Sequence, residues 1–140
     1  MKCAFGNLLI LLLVASCASV AEQSDNTGLQ FQRIINSQIE AFARDDGEAA
    51  FAYAAPPFQE QIGSPGAFMA MVRAEFRPVY RPRSVEFDEP IEIDGNYAQP
   101  VHILGPNGRL VLAMYHMQKQ SDGSWRIAGV ELRPSQVRES

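Results

Sequence analysis

Apolar residues recur every three to four positions in the first half of this chain and every two in the second. Phe31, Ile34, Ile35, Ile39 and Phe42, separated by Gln32, Arg33, Gln38 and Glu40, predict an amphipathic helix that Asp45-Asp46-Gly47 ends. A short alanine-rich helix is expected over 48–54, stopped by Pro56-Pro57. A third opens at Ser64-Pro65, an N-cap followed by proline in the first turn, carries Phe68, Met69, Val72 and Phe76 on one side, and closes at Pro78. Past Pro82 the period changes. Val85, Phe87, Ile91 and Ile93 alternate with Glu86, Asp88, Pro90, Glu92 and Asp94, a half-buried strand with an acidic face; Pro90 cannot donate to a ladder and marks an edge or a bulge. Turn signals at Asp94-Gly95-Asn96, Gly105-Pro106-Asn107-Gly108 and Ser121-Asp122-Gly123-Ser124 separate three further strands. The predicted class is α+β: three N-terminal helices packed on a curved four-stranded antiparallel meander.

Residues 1–21 stand apart from this pattern. Met1-Lys2, the apolar run Leu8–Val14 and the small residues from Ala15 to Ala21 read as an export signal, too short in its apolar run to span a bilayer. Cleavage after Ala21 releases a free periplasmic domain. Val14-Ala15-Ser16-Cys17 instead resembles a lipoprotein box, in which Cys17 is acylated and tethers the domain to the outer membrane. The mass of the mature N-terminus, an acylated Cys17 or an unmodified Glu22, separates the two. Polar residues 22–28 read as a flexible lead-in, 29–135 as a single domain and 136–140 as a tail. Both cysteines, Cys3 and Cys17, lie in the signal, so the domain is expected to hold itself together without a disulfide.

The motifs Ile35…Gln38…Ala41-Phe42…Asp45-Asp46…Ala50-Phe51-Ala52, Phe68…Met71-Val72…Tyr80-Arg81-Pro82 and Asp122-Gly123-Ser124-Trp125-Arg126-Ile127 cover nearly all of the mature chain. Together they resemble an uncharacterised family of exported bacterial domains within the nuclear-transport-factor-2-like (SnoaL-like, cystatin-like) superfamily. The resemblance implies a cone-like sheet and, often, homodimers. That superfamily spans isomerases, cyclases, dehydratases and non-catalytic modules, so it does not by itself carry an activity.

Hairpin parity predicts which residues share a face. A two-residue loop at Asp122-Gly123 pairs Tyr115 with Val130, His116 with Gly129 and Met114 with Glu131. With the other loops two or four residues long, Val85, Phe87, Ile91, Ile93, His102, Leu104, Val111, Ala113, Tyr115, Met117, Ala128, Val130 and Leu132 face the helices. Tyr97, Val101, Ile103, Leu110, Leu112, Met114, His116, Trp125, Ile127, Glu131 and Arg133 then face away, an apolar surface large enough to suggest a homodimer interface.

Composition narrows the chemistry. The 140 residues carry 12 basic and 16 acidic side chains, net −4, which disfavours nucleic acid as a partner. This parity puts the two histidines on opposite faces and the domain has no cysteine, so neither a metal nor another cofactor is expected. His102 and Tyr115, with Tyr53, Tyr80 and Arg81 arriving from the helical half, are the candidates for a small-molecule pocket or, alternatively, for cofactor-free acid/base catalysis in the cone. Arg77, Leu112, Met114, His116, Trp125 and Glu131 are the candidates for an interface, the Arg-rich end of the third helix complementing the acidic first strand of a second copy. The reading is an exported domain that binds a small molecule or an envelope partner without catalysis, reaching the membrane only through an acylated Cys17.

Overall fold

A computed structural model describes residues 19–135. Residues 1–18, which include Cys17 and most of the stretch read as an export signal, and residues 136–140 lie outside the described residues. Within them, five helices precede five strands: α1 Ser19–Ala43, α2 Gly47–Ala52, α3 Pro56–Ile62, α4 Pro65–Glu75, α5 Arg77–Tyr80, β1 Ser84–Phe87, β2 Ile91–Ile93, β3 Asn96–Leu104, β4 Leu110–Lys119 and β5 Trp125–Pro134. All strand pairs are antiparallel, in the order β1-β3-β4-β5, with β2 pairing β3 beside β1.

The helices form where the periodicity placed them, with three additions. One is the short α5, in whose first turn Pro78 sits although it was expected to close the preceding helix, which ends at Glu75. Residues 22–28, read as a flexible lead-in, continue α1 as helix. Pro56-Pro57 ends nothing; it opens α3, because proline lacks an N–H only where the first turn of a helix leaves it unused. Asp46 caps α2 by accepting from the Ala49 N–H at 3.1 Å, and Ser64 caps α4 by accepting from Ala67 at 3.1 Å. Buried Gln38 of α1 donates to the Ala50 carbonyl at 3.1 Å and Gln59 of α3 to the Phe51 carbonyl at 2.9 Å, tying three helices together.

The core lies between the helices and one sheet face. Phe31, Ile35, Ile39 and Phe42 of α1 and Phe68, Met69 and Val72 of α4 meet Val101, Ile103, Ala113, Tyr115, Met117 and Ile127 from the sheet. Between α2 and α3 the chain runs alongside β5, where Ala55 N–H donates to Ile127 O and Ile127 N–H to Tyr53 O, both at 2.8 Å.

Four irregularities set the register. Leu104 pairs with Leu110, a five-residue connection where an even one was expected, and this turns β3 over. Val101 and Ile103 therefore face the core and His102 and Leu104 face away. Asp94 and Gly95 form a two-residue turn with φ of 52° and 79°, so β2 follows β3, and Ile91 and Ile93 are exposed rather than buried. The break at Asp88-Glu89-Pro90 shifts register once more and returns Val85 and Phe87 to the core side. Finally, the last hairpin closes with Gln120 donating to Ser124 across a three-residue loop, and Ala128 bulges between His116 and Met117. The extra loop residue and the bulge cancel, so the pairs Tyr115–Val130, His116–Gly129 and Met114–Glu131 form as expected, while Trp125 and Ile127 turn inward.

Candidate ligand-binding site

Five residues were expected to line one pocket, and the fold disperses them. Tyr115 is fully buried with its hydroxyl unpartnered among the described residues, and burial pushes that hydroxyl well above the ordinary tyrosine pKa. His102 stands on the opposite face of the sheet, its Nε2 2.7 Å from Asp88 Oδ2. The two cannot act on one substrate atom. Tyr80 and Arg81 join Asp45 and Arg73 on the surface where α1, α4 and α5 meet. The Tyr80 hydroxyl donates to Asp45 Oδ1, Arg73 Nη2 reaches the same oxygen at 3.0 Å, and Arg81 lies 4.0 Å over the Tyr80 ring while donating to the Phe42 carbonyl at 3.0 Å. Hydrogen bonds from Tyr80 and Arg73 hold the Asp45 carboxyl below its usual pKa. The cluster directs its donors onto its own groups, the Asp45 carboxylate, the Tyr80 hydroxyl and the Phe42 carbonyl, which makes it a clasp between helices.

The interface candidates divide similarly. Leu112, Met114, His116 and Glu131 are on the outer sheet face, with Glu131 2.8 Å from Arg133 and 3.9 Å from His116. Both histidines thus share that face, correcting the expected separation, four residue pairs apart along the sheet. Arg77 is exposed on α5. Trp125 is not on that face: it packs edge-on against Phe31 of α1, ring centroids 5.0 Å apart.

That inward turn builds a site the sequence reading missed. At the end of the sheet formed by the Asp94-Gly95 and Asp122-Gly123 hairpins, Tyr97 and Trp125 stand perpendicular at 5.2 Å, both backed by Phe31. The first half of α1 closes one side with Asn26 and Gln30, and the β1–β2 break closes the other with Glu89, Pro90 and Glu92. The groove, open to solvent, measures about 570 Å³. Lys119, cross-strand partner of Trp125, sets its Nζ 5.8 Å from the indole centroid. The hydrogen bond between the Tyr97 hydroxyl and the carboxylate of Glu92, its cross-strand partner, raises the hydroxyl pKa, aided by partial desolvation. Trp125 also lines a shallower depression with Tyr53, Arg33 and Arg126, so Tyr53 belongs to this end of the molecule and to none of the other tyrosines expected beside it. By contrast, the apolar cleft among Phe42, Phe58, Phe68 and Phe76 holds only about 90 Å³.

A family model described as a domain of unknown function, DUF4864, matches residues 24–140. The chain belongs to that family. A search of curated proteins finds no match. The match spans every element that forms the groove, from α1 through β5 of this DUF4864 domain. Among the described residues, no three His, Cys, Asp or Glu side chains gather closely enough to hold a metal ion, and no helix is long and apolar enough to cross a membrane.

Proposed function

We propose that this DUF4864 domain is an exported, non-catalytic binding module whose small-molecule ligand lies in the Tyr97–Trp125 groove. The carrying observation is size joined to chemistry. About 570 Å³ falls within the 300–1,000 Å³ common to small-molecule sites, and two ring faces meet polar groups from three segments there. The 90 Å³ apolar cleft is too small for most such ligands. Export rests on the pattern of residues 1–21, with delivery to the bacterial periplasm after cleavage at Ala21 or tethering through Cys17. Helices gathered on one face of an open antiparallel sheet support the nuclear-transport-factor-2-like reading of the architecture.

A fragment library screened against the purified, isotope-labelled chain by amide and indole NMR tests the site. Hits are expected to move the Trp125 indole together with Tyr97 and Gly123; hits that gather instead around Phe68 and Phe76, or around Leu112 and Met114, overturn it. A second reading, a homodimeric module working through the outer sheet face, is favoured by the apolar ladder of Leu104, Leu110, Leu112 and Met114, each exposed or half-buried on that face.

A further inference from the structure

Charge in the groove is sorted. Glu89 and Glu92 line it, and neither makes an ion pair with a basic side chain among the described residues; Lys119 is the one basic side chain on the same wall. Two carboxylates against one ammonium leave the groove negative. The Lys119 ammonium lies 5.8 Å from the Trp125 centroid, inside the range at which a ring quadrupole attracts a cation. The indole face therefore already carries a positive charge, supplied by a flexible and exposed side chain that is the chain's only lysine after Lys2. A strongly hydrated primary ammonium gains less from an aromatic face than an alkylated one does, because more of its solvation is lost in the contact. The basic side chains Arg33 and Arg126 belong to the depression on the far side of Trp125, which leaves the glutamate side as the attractive one.

Resting on the groove reading above, we infer that the ligand is an organic cation bearing an alkylated ammonium, which takes the place of Lys119 over Trp125 while Glu89 and Glu92 supply the counter-charge. Recognition is by charge and ring face together: a neutral molecule of the same shape keeps only the apolar part of the contact. Lys119 acts as an internal competitor that sets a threshold for binding.

Trp125 is the chain's only tryptophan, so its emission reports on the site without ambiguity. The probes are choline and its uncharged carbon isostere 3,3-dimethylbutan-1-ol, titrated into the purified chain. Choline is expected to change Trp125 emission saturably and to bind about tenfold tighter than the alcohol. Replacing the exposed pair with Glu89→Gln and Glu92→Gln should weaken choline roughly fivefold, and Lys119→Gln should tighten it roughly threefold. Circular dichroism checks that each variant folds. Equal binding of choline and the alcohol, or choline affinity untouched by the glutamate changes, overturns the inference. Neutral fragments that bind at Trp125 while choline does not remove the cation and leave the groove; silence from choline, the alcohol and every fragment removes both.

Discussion

Asp45 shows how much one residue can fix. Its φ of 54° is a left-handed conformation that most side chains avoid and that aspartate and asparagine tolerate best. The turn it makes between α1 and α2 aims its carboxylate at Arg73 of α4, Tyr80 of α5 and Arg81, the residue that follows α5. Because the folded-state pKa is depressed, the unfolded chain binds a proton more readily. This contribution to stability is therefore present above the unfolded carboxyl pKa and is lost as pH falls through the folded one. Asp122, held low by Ser124, and Glu131, held low by Arg133, act in the same direction. Asp45→Asn keeps the backbone preference and removes the charge. Its thermal midpoint should lie below that of the parent at neutral pH, and the gap should narrow as pH falls below about 4 and the parent loses the same interaction. Parallel curves across that window would show that the clasp contributes through shape alone.

At the scale of elements, helices were legible and sheet faces only partly so. Helical periodicity is local, so Phe31, Ile35, Ile39 and Phe42 disclose their buried face without reference to the rest of the chain. Sheet parity accumulates along the chain, and each odd loop or bulge reverses everything beyond it until another restores it. The five-residue connection after Leu104 moved His102 off the core side and brought Val101 and Ile103 onto it. The Ala128 bulge turned Trp125 inward. Tyr97 and Trp125 were expected on one shared face, so their pairing was readable; the face was not, and with it went the groove. Pro56-Pro57 was ambiguous for a simpler reason, since proline both ends and begins helices.

The helical layer has a clearer centre. Phe68 is 3% exposed and its ring lies 5.4 Å from Phe42, 6.0 Å from Phe51 and 6.1 Å from Phe58, so one side chain of α4 touches α1, α2 and α3. Phe68→Ala should cost about 3–5 kcal/mol in chemical denaturation. A loss below about 1 kcal/mol would mean that the three helices hold together through Gln38, Gln59 and the Asp45 clasp instead.

For the whole molecule, the outer sheet face is the second surface able to meet a partner. Along it, the rows Leu104–Leu110, His102–Leu112–Arg133 and Pro100–Met114–Glu131 place an apolar stripe between charged margins. The margins are internally satisfied, by His102 with Asp88 at 2.7 Å and Arg133 with Glu131 at 2.8 Å, so a partner need not neutralise them. Three strands of nine or ten residues, β3, β4 and β5, with the short β1 and β2 end to end beside β3, present a projected face near 600 Å² at about 4.8 Å between strands and about 3.3 Å per residue. Side-chain relief brings this close to the roughly 800 Å² per partner of an ordinary stable interface. A two-fold pair would set the stripe against itself, and Arg73 and Arg81, spent on Asp45, would not be its means of attraction. If the face is used this way, sedimentation of the purified chain over about a hundredfold range of concentration should resolve a monomer–dimer equilibrium. Met114→Glu, a charge placed mid-stripe, should abolish it with the circular dichroism spectrum unchanged. The same substitution should leave the Trp125 emission response to any groove ligand intact, since the groove opens on the helix side of the sheet. A strictly monomeric mass at every concentration would leave the groove as the sole binding surface argued for this domain; a dimer that survives Met114→Glu would move the interface to another face.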